Sequence, residues 1–178
     1  MVTVHVFTVS PRIVVNGLSI TTAPVVSKLH VVLGQPDRID TGPVPAPYGH
    51  RNNQIHVYDR LGVTFNEHHY TRRAQDIWCW FDTSELVYRF TPKEPFLGKL
   101  FFNETEIPLG GSEQKFMQSS PFKFQHTLGH VWSFRFEGFS LRANERGQKL
   151  PSGRRSRKRQ VTDISISWPH DDWASPAI

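Results

Sequence analysis

Between Ile55 and Phe81 the chain reads IHVYDRLGVTFNEHHYTRRAQDIWCWF, with apolar side chains alternating on both sides of a turn-forming Asp59–Gly62. A period of two belongs to half-buried strands. The stretch therefore predicts a β-hairpin, a connecting segment and a third strand with Ile77, Cys79 and Phe81 on its core face. The same pattern returns as WSFRFEGFSLR over Trp132–Arg142 and VTDISISW over Val161–Trp168. Gly62 falls on Gly138, Asp76 on Asp163, and Cys79 and Phe81 on Ile166 and Trp168. Further forward, Ile13, Val15, Asn16, Ile20 and Leu29 fall on Leu100, Phe102, Asn103, Ile107 and Phe116. Such self-similarity predicts an α+β fold made of two tandem copies of one sheet-rich unit. Each copy holds a hairpin, a helix and three to four antiparallel strands. The expected boundaries are 1–90 for the first copy with its N-terminal strand, 91–98 for a linker, and 99–178 for the second copy with a basic loop at 145–160.

Local signals fill in the elements. Thr3–Val9 alternates as a strand, and Arg12–Ile20 is a hairpin turning at Asn16-Gly17, a dipeptide suited to positive φ. Thr21 or Thr22 is placed to cap a helix that takes Pro24 in its first turn and carries Val25, Leu29, Val32 and Leu33 on one face. Gly34 ends that helix and Pro36 prevents its resumption. Asp37–Asp40 is a short strand, and Thr41–Asn53 is a Pro-rich loop. Glu85–Phe90 extends the first copy by a strand. In the second copy Lys99–Ile107 forms a hairpin, Ser112–Gln118 a short helix and Phe122–Phe124 a strand.

The aromatic weighting, with 13 Phe and 5 Trp in 178 residues, favours sheet over helix. No apolar run reaches the roughly 18 residues a membrane helix needs. Met1–Val9 has neither a basic start nor a small-residue cleavage site, so it reads as a strand and not a signal peptide. A single cysteine, Cys79, rules out an intrachain disulfide and fits a reducing cytoplasm. The net charge of +5 is local: Glu145–Gln160 holds seven basic residues and one acidic, and the rest of the chain is left with a net of −1.

The residue patterns offer no catalytic constellation. HExxH, GxSxG, GxGxxG and the phosphate-binding GxxxxGK[ST] are all missing, and one cysteine permits no CxxC. Glu67, His68 and His69 are the densest ionisable cluster. Adjacent histidines on an extended chain point to opposite sides and do not share a metal. Cys79 alternates with Ile77 and Phe81 and is expected to be an inert core thiol. No catalytic residue, metal or cofactor is therefore expected. Trp78 and Trp80 share the strand face opposite that core, where the second copy has Ser165 and Ser167. They are candidate partner-binding anchors, together with Glu67, His68, His69 and Tyr70. In an alternative reading Arg154, Arg155, Arg157, Lys158 and Arg159 contact phosphate and make the chain a nucleic-acid-binding module.

A helix followed by LGQPDRI, a loop and HVYDRLGVTFNEHH resembles a small bacterial module found in immunity proteins encoded beside antibacterial toxins. The nearest resemblance is to the cytoplasmic immunity proteins of type VI secretion effectors, including the partner of a restriction-endonuclease-like nuclease. It covers Val25–Phe81. The resemblance implies a cytoplasmic, non-enzymatic protein that occludes the active site of a cognate toxin, with no membrane association. Nucleic acid is a partner only in the alternative reading.

Overall fold

Asn16 and Gly17 both take positive φ, 46° and 85°, which lets the chain reverse between two short strands. Those strands are β2 (Arg12–Val15) and β3 (Leu18–Ile20), and they follow β1 (Thr3–Phe7). In this computed structural model the described residues are 1–7, 10–43, 52–68, 71–84, 89–108, 125–127, 131–149, 152 and 154–169. At 42–43, 52, 125–127, 131–132, 147–149 and 155–159 the description covers the backbone alone. The helix α1 (Val26–Leu33) leads to β4 (Arg38–Pro43), β5 (Asn52–Tyr58), β6 (Val63–Glu67) and β7 (Ala74–Trp80). There follow β8 (Lys99–Phe102), β9 (Thr105–Ile107), β10 (Gln125–Thr127), β11 (Val131–Arg135), β12 (Ser140–Lys149) and β13 (Arg155–Ser167).

The strands form two sheets, one ordered β3-β2-β1-β8-β9 and the other β10-β11-β12-β13-β7-β6-β5-β4. This corrects the expected α+β pair of units. The described residues are mostly strand, and α1 is the one helix among them. Period-two alternation dominates the chain, and α1 adds only eight helical residues. The second expected helix, 112–118, and the expected strand at 122–124 lie outside the described residues. Both sheets draw on both halves of the sequence. β1 pairs antiparallel with β2 and parallel with β8, while β7 pairs antiparallel with β13, placing Trp78 opposite Ser165 and Ile77 opposite Ile166.

One hydrophobic core lies between the sheets. Val4, Val6, Ile13, Val15, Leu100, Phe102 and Ile107 come from the first sheet, and Val63, Phe65, Ile77, Cys79, Leu141, Ile164 and Ile166 from the second. Of the core faces expected from alternation, Ile77 with Cys79 and Ile164 with Ile166 and Trp168 are buried, while Phe81, one residue past β7, is half-buried. α1 contributes Val26, Leu29 and Leu33. Its start differs from expectation: Val25 is the N-cap and no side chain caps it. Backbone bonds to the start of β7 replace the cap. Val26 N–H donates to Arg72 O at 3.0 Å, and Pro24 O accepts from Ala74 N–H at 2.8 Å. Asn16 ties the helix to β1, accepting from Thr3 N–H and donating to Val32 O, each at 2.8 Å.

The segment expected as a linker is docked. Arg38 donates to both carboxyl oxygens of Asp59 and to Thr91 O, while Asp59 accepts from Lys93 N–H at 3.0 Å. Phe96 N–H then donates to Trp80 O at 2.6 Å. The strap passes so close to Gly62 that a Cβ there would overlap the backbone nitrogen of Phe96. Of the expected strand at 85–90, Arg89 and Phe90 form a turn, and 85–88 lie outside the described residues.

Candidate functional site

The connection from β6 to β7 closes on itself. His68 N–H donates to Arg73 O and Arg72 N–H to His68 O, both at 2.9 Å, and Arg72 takes a positive φ of 55°. This tight connection aims side chains two ways, into a buried polar chain and into an open cleft.

The buried chain starts at Glu67, which alternates with Val63 and Phe65 and so points inward from β6. Glu67 is 0% exposed. His56 Nε2 lies 2.6 Å from one carboxyl oxygen, and the Arg72 guanidinium contacts the other. His56 Nδ1 is 3.2 Å from His30 Nε2 on α1, and the His56 ring stacks on Phe65 at 4.5 Å between centroids. Burial lowers the pKa of both histidines, against the pull of Glu67 in the other direction. Neutral rings fit one proton arrangement: His30 donates from Nε2 to His56 Nδ1, and His56 donates from Nε2 to Glu67. The Glu67 charge is answered by Arg72. The chain ties α1 to β5 and β6, and its hydrogen bonds are spent on that task. Among the described residues no group of three His, Cys, Asp or Glu is arranged to hold a metal.

The cleft, about 400 Å³, opens where β7 begins and β13 ends. Thr22, Ala23, His68, Thr71, Arg73, Ala74, Gln75, Gly138, Trp168 and Pro169 line it. The walls are fixed by backbone bonds, with Trp168 N–H donating to Gln75 O at 3.1 Å. Thr71 N–H approaches His68 Nδ1 at 3.3 Å, and Arg73 donates from Nη1 to Ala23 O at 2.6 Å.

On the opposite face of the large sheet, Trp78 and Trp80 stack at 5.5 Å. Trp80 is only 4% exposed, although it faces away from the core shared by the two sheets. Its indole donates to Thr64 Oγ1 at 3.0 Å, and Phe90 packs edge-on against it. The docked strap explains this burial and takes Trp80 out of the candidate binding surface. Trp78 remains half-buried. Beside the tryptophans lie two carboxyl groups held by asparagines. Asn66 Nδ2 donates to both oxygens of Asp76, at 2.9 and 2.8 Å, and Asn144 Nδ2 donates to Asp163 at 2.5 Å. Burial pushes Asp76 up to about 6 and raises Asp163 as well.

The remaining sequence candidates separate as follows. Glu67 is inside, so it presents no surface to a partner. His68 is half-buried at the cleft, while His69 and Tyr70 lie outside the described residues. The basic segment is not a loop throughout: 145–149 belong to β12 and 155–160 to β13, while 150, 151 and 153 lie outside the described residues. The two strands pair as a long ribbon, with Arg146 opposite Gln160, Gly147 opposite Arg159 and Lys149 opposite Arg155. Backbone pairing is indifferent to side-chain charge, so a basic composition does not prevent a strand. Arg154 is exposed, and the side chains of Arg155, Arg157, Lys158 and Arg159 lie outside the description. Cys79 is buried, and desolvation pushes its thiol up to about 12.

Sequence reasoning missed His30, His56 and Gln75. Signals existed for two of them: His30 lies on the buried stripe of α1, four residues after Val26, and His56 is in phase with Tyr58. Gln75 carries no such signal, because its place in the cleft depends on Trp168 from the far end of the chain.

The profile of a family described as a domain of unknown function (DUF7738) matches residues 7–116, more than half of the chain. No curated protein and no solved structure matches it. No helix among the described residues is long and apolar enough to cross a membrane.

Proposed function

We propose that this chain, which belongs to the DUF7738 family, is a protein-binding module that neutralises a cognate bacterial toxin by covering its active site or substrate path. It acts in the cytoplasm, without a cofactor. The observation that carries this reading is the state of Glu67. It belongs to the densest ionisable cluster in the sequence, yet it is wholly buried, hydrogen-bonded by His56 and ion-paired with Arg72. General acid–base catalysis needs a group within reach of a substrate. Asp59 and Asp163 are likewise committed to scaffold bonds, and the thiol of Cys79 is sealed. What the molecule offers outward is surface: a half-buried Trp78, an open cleft and a long ribbon. The resemblance of Val25–Phe81 to type VI immunity proteins supplies the kind of partner.

Co-expression with the product of the adjacent gene tests the proposal. The two proteins should co-purify, and the chain should restore growth to cells producing that product. A folded chain that protects no cells and leaves the neighbour uncaptured would sink the reading. So would salt-sensitive binding to random duplex DNA, which belongs to the nucleic-acid alternative.

A further inference from the structure

Two hydrogen-bond donors on residues that line the cleft have no partner among the described residues. Gln75 Nε2 and Trp168 Nε1 are both buried and unpaired, in side chains that are 7% and 2% exposed. Buried polar groups are nearly always bonded, and each unpaired one carries a substantial desolvation penalty. Two in one place, on residues joined by a backbone hydrogen bond and lining one cleft, form a pattern.

The chemistry of these two groups is one-sided. An indole N–H can only donate. Asn53 donates to Gln75 Oε1 at 2.8 Å, which fixes the amide with its NH₂ as the free end. Arg73 is exposed, bonds Ala23 O and has no acidic partner among the described residues. Thr22 and Thr71 add hydroxyls. Among the described residues no Asp or Glu lines the cleft, and Ala23, Ala74, Pro169 and the Trp168 ring give it apolar wall.

We infer that this cleft is a binding site for a carboxylate on an apolar stem. A planar acceptor with two oxygens suits an amide N–H, an indole N–H and one guanidinium fork. A single fixed cation balances a single negative charge, which favours carboxylate over a doubly charged phosphate. The carboxylate belongs either to a free small acid or to a protein chain, as a terminus or an acidic side chain. The site's chemistry stands whether or not the partner is a toxin.

The test is an NMR titration of the ¹⁵N-labelled full chain with hexanoate, with hexanamide as the uncharged control. Two further peptides of apolar sequence, one ending in a free carboxylate and one amidated, separate the two sources. The Trp168 indole and Gln75 amide signals should shift saturably with hexanoate and not with hexanamide. Tighter binding of the free-ended peptide than of hexanoate assigns the site to a protein chain, and the reverse order assigns it to a small acid. Trp168→Phe keeps an aromatic ring, smaller than the indole, and removes the N–H. It should weaken hexanoate binding by about tenfold or more, the size of one hydrogen bond to a charged group. Arg73→Gln, at an exposed position, provides a second variant with the same expected direction if Trp168→Phe does not fold. The inference is overturned if neither hexanoate nor the free-ended peptide shifts the two signals, if hexanamide binds equally well, or if the folded variants bind like wild type.

Discussion

The backbone N–H of Trp168 donates to the carbonyl of Gln75 at 3.1 Å, and this bond places the end of β13 against the start of β7. Neither side chain completes the arrangement: among the described residues each has a buried donor with no partner. A fold that leaves two buried donors unbonded gives up stability there. Trp168→Phe removes an unpaired donor, a group whose burial is disfavoured by about 1–3 kcal/mol, but leaves a cavity where the larger indole sat; the two effects oppose, and the variant is predicted to melt within a few degrees of wild type. A much larger drop would show that no relief of an unpaired donor offsets the lost packing.

Gly62 is predicted to be the least replaceable glycine. It sits at φ 65°, and a Cβ would strike the strap at Phe96. Gly62→Ala should lose roughly 2–4 kcal/mol, combining the left-handed penalty with a backbone clash. Gly17→Ala shares only the positive φ, with open space around it, and should lose less. Urea unfolding of both variants checks the order.

The buried histidine chain makes an acid-side prediction. Burial lowers the pKa of His30 and His56 in the fold, so the native state resists protons that the unfolded chain accepts. The contribution is complete above the unfolded value of about 6.5 and fades as pH falls below it. The stability advantage of wild type over His56→Gln should shrink as pH drops from about 7 to 5. An advantage that grows on acidification would mean His56 is charged in the fold.

Asp76 predicts the opposite slope. Burial raises it to about 6, so the folded state favours its protonated form. That contribution is complete below the ordinary carboxyl value and is lost as pH rises through about 6. Asp76→Asn, with the Asn66 amide turned to match, should gain on wild type between acid and neutral pH, by about 3 kcal/mol. Unfolding curves at several pH values read the difference directly, and a constant gap would contradict it.

The two tryptophans should part company on substitution. Trp80→Ala opens a buried site under Phe90 and should lose about 3–5 kcal/mol of stability. Trp78→Ala, half-buried, should fold and lose partner affinity through faster release. Thermal melts and dissociation rates distinguish them.

Local chemistry was legible in the sequence. The Asn16–Gly17 turn, the Gly34 stop and the burial of Ile77 and Cys79 follow from dihedral freedom and alternation. Non-local packing was not. Glu67 has the alternation of a core residue, but its charge argues for the surface, and the groups that hold it inside are His56 on β5 and Arg72. Trp80 reads as an outer-face residue because the strap that covers it arrives from 89–96. The basic segment reads as a solvated loop because charge runs usually are, yet its backbone pairs with β12. The α+β expectation gave one short helix the weight of a structural layer, although strand periodicity fills most of the chain.

The most direct measurement is a calorimetric titration of the purified chain into the adjacent gene's product, read beside that product's toxic activity. The account predicts a saturating complex whose formation abolishes the activity, with Trp78→Ala weakening both together. A folded chain that gives no heat and leaves the activity untouched, or that turns over a substrate by itself, would contradict it.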